Sequence, residues 1–415
     1  MTGTDSPTDP CIAILVGTTP SVPFADLFAQ ARDRKLTVLV PDAVAVSAPE
    51  ITALAASVGV RWEETDDDLV ATGRRLGLGT ILTFDELYAY ECMAATVRLR
   101  NAGAPKPQDK YDMRVLLNEH GLSHTRTWEL TSDDDVAAAL QEVDVLVVKP
   151  RRGVSSRDVM VVRDLPSWKE AAADRELDLT SGEFYAEEFH EHLPFGEQPD
   201  WYAAYLAVDV IHGSRGTVFL AADRRRQAAN YGETGSLIPS RISPEQRADL
   251  ESWSADIAAL WEGMWPAFHI EFVHTPQGFQ LIEVNPRLGG HLHVMLKAAA
   301  EDGDLIGAVL DAVTGNKPHL PEPRSHTSYI LIHPPEGALT VDSPPDYRRL
   351  LREHPGVTVA RRRRAGTRFD PRNGTLNALC ELLVAAPDTP ALRTAIDRSH
   401  AHVISSARFS DGTLA

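Results

Sequence analysis

Short apolar runs separated by amphipathic stretches open the chain. Ile12-Ala13-Ile14-Leu15-Val16 stops at Gly17, a helical stretch covers 24–34, and Leu36-Thr37-Val38-Leu39-Val40 follows. The alternation continues through Gly79-Thr80-Ile81-Leu82-Thr83 and a helix over 86–102. Apolar runs of this length read as buried strands, and their alternation with helices predicts a parallel sheet with crossover connections. Ala104-Pro105-Lys106-Pro107 breaks the last helix and bounds a first domain at 1–105.

Beyond that break the pattern shifts toward hairpins. A helix over 111–120 closes on Gly121 as its C-cap. Residues 145–150 and 184–189 read as strands. Residues 202–211 and 217–222 read as an antiparallel pair joined through His212-Gly213-Ser214. A helix over 244–261 precedes a hairpin over 268–283 that turns at Thr275-Pro276-Gln277-Gly278. A helix over 293–315 is interrupted near Gly303, and 320–415 forms a smaller mixed region. The units expected are 1–105, 106–190, 191–319 and 320–415, in an α/β (α+β) protein.

Charge and cysteine content narrow the functional classes. The 415 residues carry a formal charge of −18, which argues against a nucleic-acid binder. Cys11, Cys92 and Cys380 lie far apart without metal-ligand spacing, so neither a disulfide framework nor a zinc site is expected. The polar start shows no signal-peptide pattern, and no apolar run is long enough to span a bilayer. A cytoplasmic protein is expected, and the Asn373-Gly374-Thr375 sequon is then a chance match.

The strongest chemical signal is Leu281-Ile282-Glu283-Val284-Asn285-Pro286-Arg287-Leu288-Gly289-Gly290. Strand side chains alternate faces, so Glu283 and Asn285 point the same way while Ile282 and Val284 point into the core. The preceding strand supplies His269-Ile270-Glu271-Phe272. A three-residue loop centred on Gln277 would set Glu271 beside Glu283. Two carboxylates and an amide oxygen make an all-oxygen patch suited to Mg²⁺, and Arg287 beside it can stabilise a transferring phosphoryl group. A solvated polar strand face is the plain alternative.

Weaker signals accompany it. Lys149 ends a buried strand before Pro150-Arg151-Arg152-Gly153-Val154-Ser155-Ser156, a loop whose N–H groups and hydroxyls can hold phosphates. It is not a Walker A loop. Lys110 opens a helix and offers a second phosphate contact. Glu187, Glu188 and His190 follow a strand and can meet an adenine edge. His291 and His293 form a lone H-x-H, read as a wall of a substrate pocket or as structural. Arg224, Arg225 and Arg226 can reach a substrate anion, and the basic run 361–364 reads as a solvated edge.

In this order and spacing, over about 80–315, the motifs resemble the ATP-grasp superfamily, in particular its carboxylate–amine ligase branch of L-amino-acid and dipeptide ligases. The resemblance implies a Rossmann-like N-terminal domain, a two-lobed nucleotide-binding core and a small C-terminal region. It implies Lys110 and Lys149 as nucleotide lysines, Ser155 and Ser156 in the loop over the phosphates, and Glu187, Glu188 and His190 at the adenine hinge. Glu271, Glu283 and Asn285 match the metal ligands, Arg287 the arginine of the acyl-phosphate step, and Gly289, Gly290 and His291 the substrate cavity. The ribose acid is Glu191 or Glu197. The loop departs from the pattern in having fewer glycines and more arginines. ATP with Mg²⁺ (two ions, Mn²⁺ an alternative) and small carboxylate and amine substrates are implied. No nucleic-acid or membrane partner is expected, and a homodimer is compatible with the family. The readings held against a ligase of amino-acid-like substrates are a carboxylase or purine-pathway ligase of the same fold, and an ATP-binding regulatory module without catalysis.

Overall fold

The computed structural model describes residues 11–107, 109–153, 158–193, 201–226 and 232–410. Its N-terminal strands Cys11–Leu15, Thr37–Pro41 and Leu78–Thr83 pair in parallel, as the apolar runs predict. A fourth strand, Arg61–Thr65, joins the edge of this sheet. Its sequence RWEET has no apolar run because an edge strand needs only partial burial. The interrupted helix near Gly303 is also found, as Leu292–Ala299 and Leu305–Val313.

The second unit is a four-stranded antiparallel sheet in the order Thr127–Glu129, Phe184–Glu188, Leu146–Pro150, Met160–Val162. It carries its own core around Leu130, Val148, Trp168 and Ala186. The helices Asp133–Glu142 and Leu165–Asp174 complete it. Both start on side-chain caps, Ser132 and Asp164, which accept backbone N–H groups that the helix cannot satisfy itself.

The third unit is an antiparallel sheet of eight strands. Its order is Gly278–Asn285, Ala267–Thr275, Tyr202–Gly213, Gly216–Arg225, Gly235–Ile238, His326–Ile332, Cys380–Ala386, Val357–Arg362. Three of these strands come from 320–415, so that region is joined to the preceding one by backbone hydrogen bonds. One core, including Val208, Ile270, Phe272 and Met295, runs on into the N-terminal domain through Ile14 and Phe28. A second, with Ile330, Leu382 and Ile396, lies beneath the helix Thr389–Ser406. Among the described residues no helix is long and apolar enough to cross a membrane.

Gly235 shows how tightly the sheet closes. It sits at φ +144°, and a Cβ there would collide with the Tyr329 carbonyl and lie 3.1 Å from Ile330 Cα. Gly235→Ala should therefore lose about 2 kcal/mol or more, combining strain with a backbone clash. Thermal denaturation of the variant against the parent measures this.

Candidate active site

The site is built on the hairpin of Ala267–Thr275 and Gly278–Asn285. Near the turn the register pairs Thr275 with Gly278 and Phe272 with Leu281, leaving a two-residue loop, Pro276-Gln277. The expected three-residue loop is not present. With a two-residue loop alone, Glu271 would face Ile282. Instead the register shifts between Phe272 and Glu271, and one extra residue, Ile282, is absorbed as a bulge. Glu271 then pairs with Glu283, and His269 with Asn285. The bulge also corrects the expected core pattern: Leu281 and Val284 are buried, whereas Ile282 is only partly so.

Each carboxylate meets a cation from elsewhere in the chain. Lys110 Nζ donates to Glu283 Oε1 at 2.6 Å, and Arg224 Nη2 donates to Glu271 Oε1 at 2.9 Å. Burial alone would raise both carboxyls. For Glu271 the His269 hydrogen bond and the Arg224 charge outweigh it and hold the group at about 2. For Glu283 burial is outweighed by the Lys110 charge, against the opposing push of Glu271, and the group stays below the usual carboxylate range. Burial of His269 is likewise outweighed by its bonds to Asp209 and Glu271, which raise it.

Asp209 is a second anchor. It accepts from His269 Nδ1 at 2.8 Å and from the Gly289 N–H at 2.9 and 3.0 Å. Gly289 fits because a Cβ would lie 2.5 Å from His269 Nδ1, so its smallness serves the turn's contact with His269. Gly290 faces open space and is exposed. Arg287 lies past the strand end, where its N–H donates to the Asn285 carbonyl. Its Nε donates to Glu86 Oε2 of the N-terminal domain at 2.7 Å. A turn therefore places it, not strand alternation.

Lys149 and Glu187 form a buried pair, joined by Arg114, whose Nε donates to Glu187 Oε1 at 2.8 Å. Arg114 also donates to Ser123 Oγ and to the Ile282 carbonyl at the bulge. The motif reading missed its role. The signal was its position four residues after Lys110, on the same helical face. Burial of Glu187 is more than offset by the charges of Arg114 and Lys149, which bring it to about 2. Lys110, Arg114, Tyr185, Glu187, Ile282 and Glu283 line one narrow cleft.

The remaining residues divide. Glu188 accepts from the Arg126 backbone and guanidinium, and His190 Nε2 lies 2.8 Å from Thr125 Oγ1. Glu191 is exposed. Ser155, Ser156 and Glu197 lie outside the described residues. Arg151 bonds Asp109, Asp112 and Glu129, so this loop arginine ties the strand end to the helix Lys110–Glu119. His291 stacks on Tyr329 at 3.9 Å and 6°, and burial with the nearby Arg224 charge pushes it down to about 3. His293 bonds Asp26 instead, so the H-x-H pair does not converge. Among the described residues no group of three or more His, Cys, Asp or Glu side chains could hold a metal. The candidate donors are two carboxylates and one amide.

Glu187 contributes stability as an anion. Its pKa falls from 4.5 to about 2 on folding, so the contribution is full above 4.5 and is lost as pH drops toward 2. Glu187→Gln leaves two buried cations without their anion and should cost about 3–5 kcal/mol at neutral pH. The gap between parent and variant should narrow across that acid window, which pH-dependent urea unfolding reads directly.

Residues 143–294 match the family model of an ATP-grasp domain. The alanine–anticapsin ligase of Bacillus subtilis (strain 168) is 27% identical over 207 residues, covering 45% of this chain and 43% of that protein. Carnosine synthase 1 of Homo sapiens is 26% identical over 227 residues, covering 50% of this chain and 26% of that protein. The chain thus spans less than half the length of these curated relatives. An L-amino acid ligase structure from Bacillus licheniformis superposes with a TM-score of 0.68 at 16% identity, covering 96% of this chain and 98% of that one. N5-carboxyaminoimidazole ribonucleotide synthetase from Thermus thermophilus gives 0.66 at 17% identity, covering 95% and 98%. Together with the geometry, these matches show that the chain carries an ATP-grasp domain and has the ATP-grasp fold.

Proposed function

We propose that this chain is an ATP-dependent ligase that joins the carboxylate of one amino-acid-like substrate to the amine of another. The observation that carries the reading is the Glu271–Glu283 pair, with Asn285 in the next cross-strand position. It is bordered by Lys110, Arg224 and Arg287. The two carboxylates are half-buried and face each other, and a cation between them would relieve their mutual repulsion beyond what Lys110 and Arg224 already offset. The site's all-oxygen donors fit Mg²⁺, which Glu271, Glu283 and Asn285 would hold and which would offset the charge of nucleotide phosphates. The names of the curated relatives support amino-acid-like substrates. The fold likeness alone does not separate an amide-forming ligase from the carboxyaminoimidazole synthetases.

In this reading a substrate carboxylate oxygen attacks the γ-phosphorus of ATP, and the bond to ADP breaks. The amine nitrogen then attacks the acyl carbon, phosphate leaves with the C–O electron pair, and the amine proton passes to solvent. Lys110 and Lys149 supply point charges for the phosphates. Arg287, beside the metal-binding strand, stabilises charge on the transferring group. Arg224 holds Glu271 and Glu233 in place through its terminal nitrogens. His291, kept neutral on Tyr329, walls the substrate side. A specialised peptide-like metabolite would be the product.

The first test is turnover with ATP and Mg²⁺ across a panel of amino-acid pairs, recording nucleotide products and product mass. ADP and phosphate formed only with a matched pair, with the mass of an amide, supports the proposal. AMP and pyrophosphate would replace the acyl-phosphate by an adenylate, and no turnover with any pair despite ATP binding would overturn the ligase reading. Arg287→Ala should lower kcat about 10²-fold or more while nucleotide affinity stays within about threefold. Glu283→Gln should raise the Mg²⁺ concentration for half-maximal turnover about tenfold or more.

A further inference from the structure

A second cavity of about 540 Å³ opens where the strands Gly216–Arg225 and His326–Ile332 end against the helix Thr389–Ser406. Its lining includes Trp201, Arg225, Arg226, His333, His400 and Ile404. Arg224 and Arg225 are consecutive on one strand, at an irregularity in its register against Tyr202–Gly213, and their contacts differ. Arg224 reaches the acidic pair and Arg225 turns away from it, so this cavity backs onto the site already described.

Arg225 is anomalous there. Its guanidinium lies 5.1 Å from the Trp201 ring centre, its Nε is buried without a hydrogen-bond partner, and it makes no ion pair among the described residues. Burial, reinforced by Arg393 and only partly countered by Asp397, brings it down to about 10. Arg393 also lies over Trp201, at 5.4 Å. Arg225 is half-buried, with Asp397 acting on it only at longer range, so a ligand anion would give it the close partner it lacks among the described residues. Arg225, Arg226, His333 and His400 give the cavity a basic lining in a chain of net charge −18. Leu331, Pro334, Pro335 and Ile404 make an apolar wall, with the Thr234 hydroxyl beside it. Apolar walls with a few convergent polar groups are what a small-molecule pocket presents.

We propose that this cavity is a second binding site, for a small organic carboxylate with an aromatic or apolar body. The carboxylate pairs with Arg225, and the body lies against Trp201 and the apolar wall. The site is separate from the Glu271–Glu283 pair and does not depend on the ligase reading.

The test is calorimetric titration of the full chain, without nucleotide, using benzoate, acetate and inorganic phosphate at constant ionic strength. Benzoate should saturate and bind about tenfold or more tightly than the other two, Arg225→Gln should weaken it about tenfold or more, and Arg287→Ala should leave it unchanged. Ile404→Trp fills the cavity from the helix side and should abolish binding, which keeps the test open where Arg225→Gln does not fold. Absence of saturable benzoate binding, equal affinity for phosphate, loss of binding in Arg287→Ala, or unchanged affinity in Arg225→Gln or Ile404→Trp overturns the proposal.

Discussion

Two ionised carboxylates held opposite each other on neighbouring strands repel, and the rest of this structure is arranged around that repulsion. At roughly 5 Å, like charges oppose each other by about 3 kcal/mol even at an effective dielectric of about 20. Glu271 and Glu283 nevertheless both stay ionised, because cations arrive from separate parts of the chain. Lys110 comes from the helix Lys110–Glu119, Arg224 from a strand of the large sheet, and His269 from the hairpin itself. Assembly of the domains is thus also neutralisation of the site.

The same logic joins the N-terminal domain. Arg287 reaches Glu86, while Gln30 and Arg34 bond Asp304 and Asp311 of the large lobe. Asp26 takes both His293 and Lys297. The catalytic candidate arginine is therefore held by a domain that supplies none of the proposed metal ligands. Its position reports on the interface between domains as well as on the turn after Asn285.

Much of this was legible in the sequence, though not always for the right reason. The apolar runs marked the parallel strands, because burial on both faces leaves an unmistakable pattern. The short strands Thr127–Glu129 and Met160–Val162 leave too few residues for a period to show. The facing of Glu271 and Glu283 was expected from a three-residue loop, but arises from a two-residue turn plus a bulge at Ile282. Both insert one residue, so parity is the same, and sequence cannot say where the extra residue goes. The partners of Lys110 and Glu187 were not legible at all. Periodicity tells which side chains share a face, and it does not tell which face meets which across 73 residues for Arg114 and Glu187 or 173 for Lys110 and Glu283.

The bulge and the buried network of the four-stranded sheet are physically one feature. A bulge leaves backbone groups outside the ladder, and an unpaired buried carbonyl is expensive. Here the Ile282 carbonyl is taken by Arg114, whose guanidinium also holds Glu187 and, through it, Lys149. The residue that satisfies the bulge thus belongs to the cationic network at the strand where nucleotide contacts are expected. Removing the bulge would turn Glu283 away from Glu271 and strand an Arg114 donor at once. The register that creates the acidic pair and Lys149, one of the two cations proposed to meet the nucleotide, are tied to a single guanidinium.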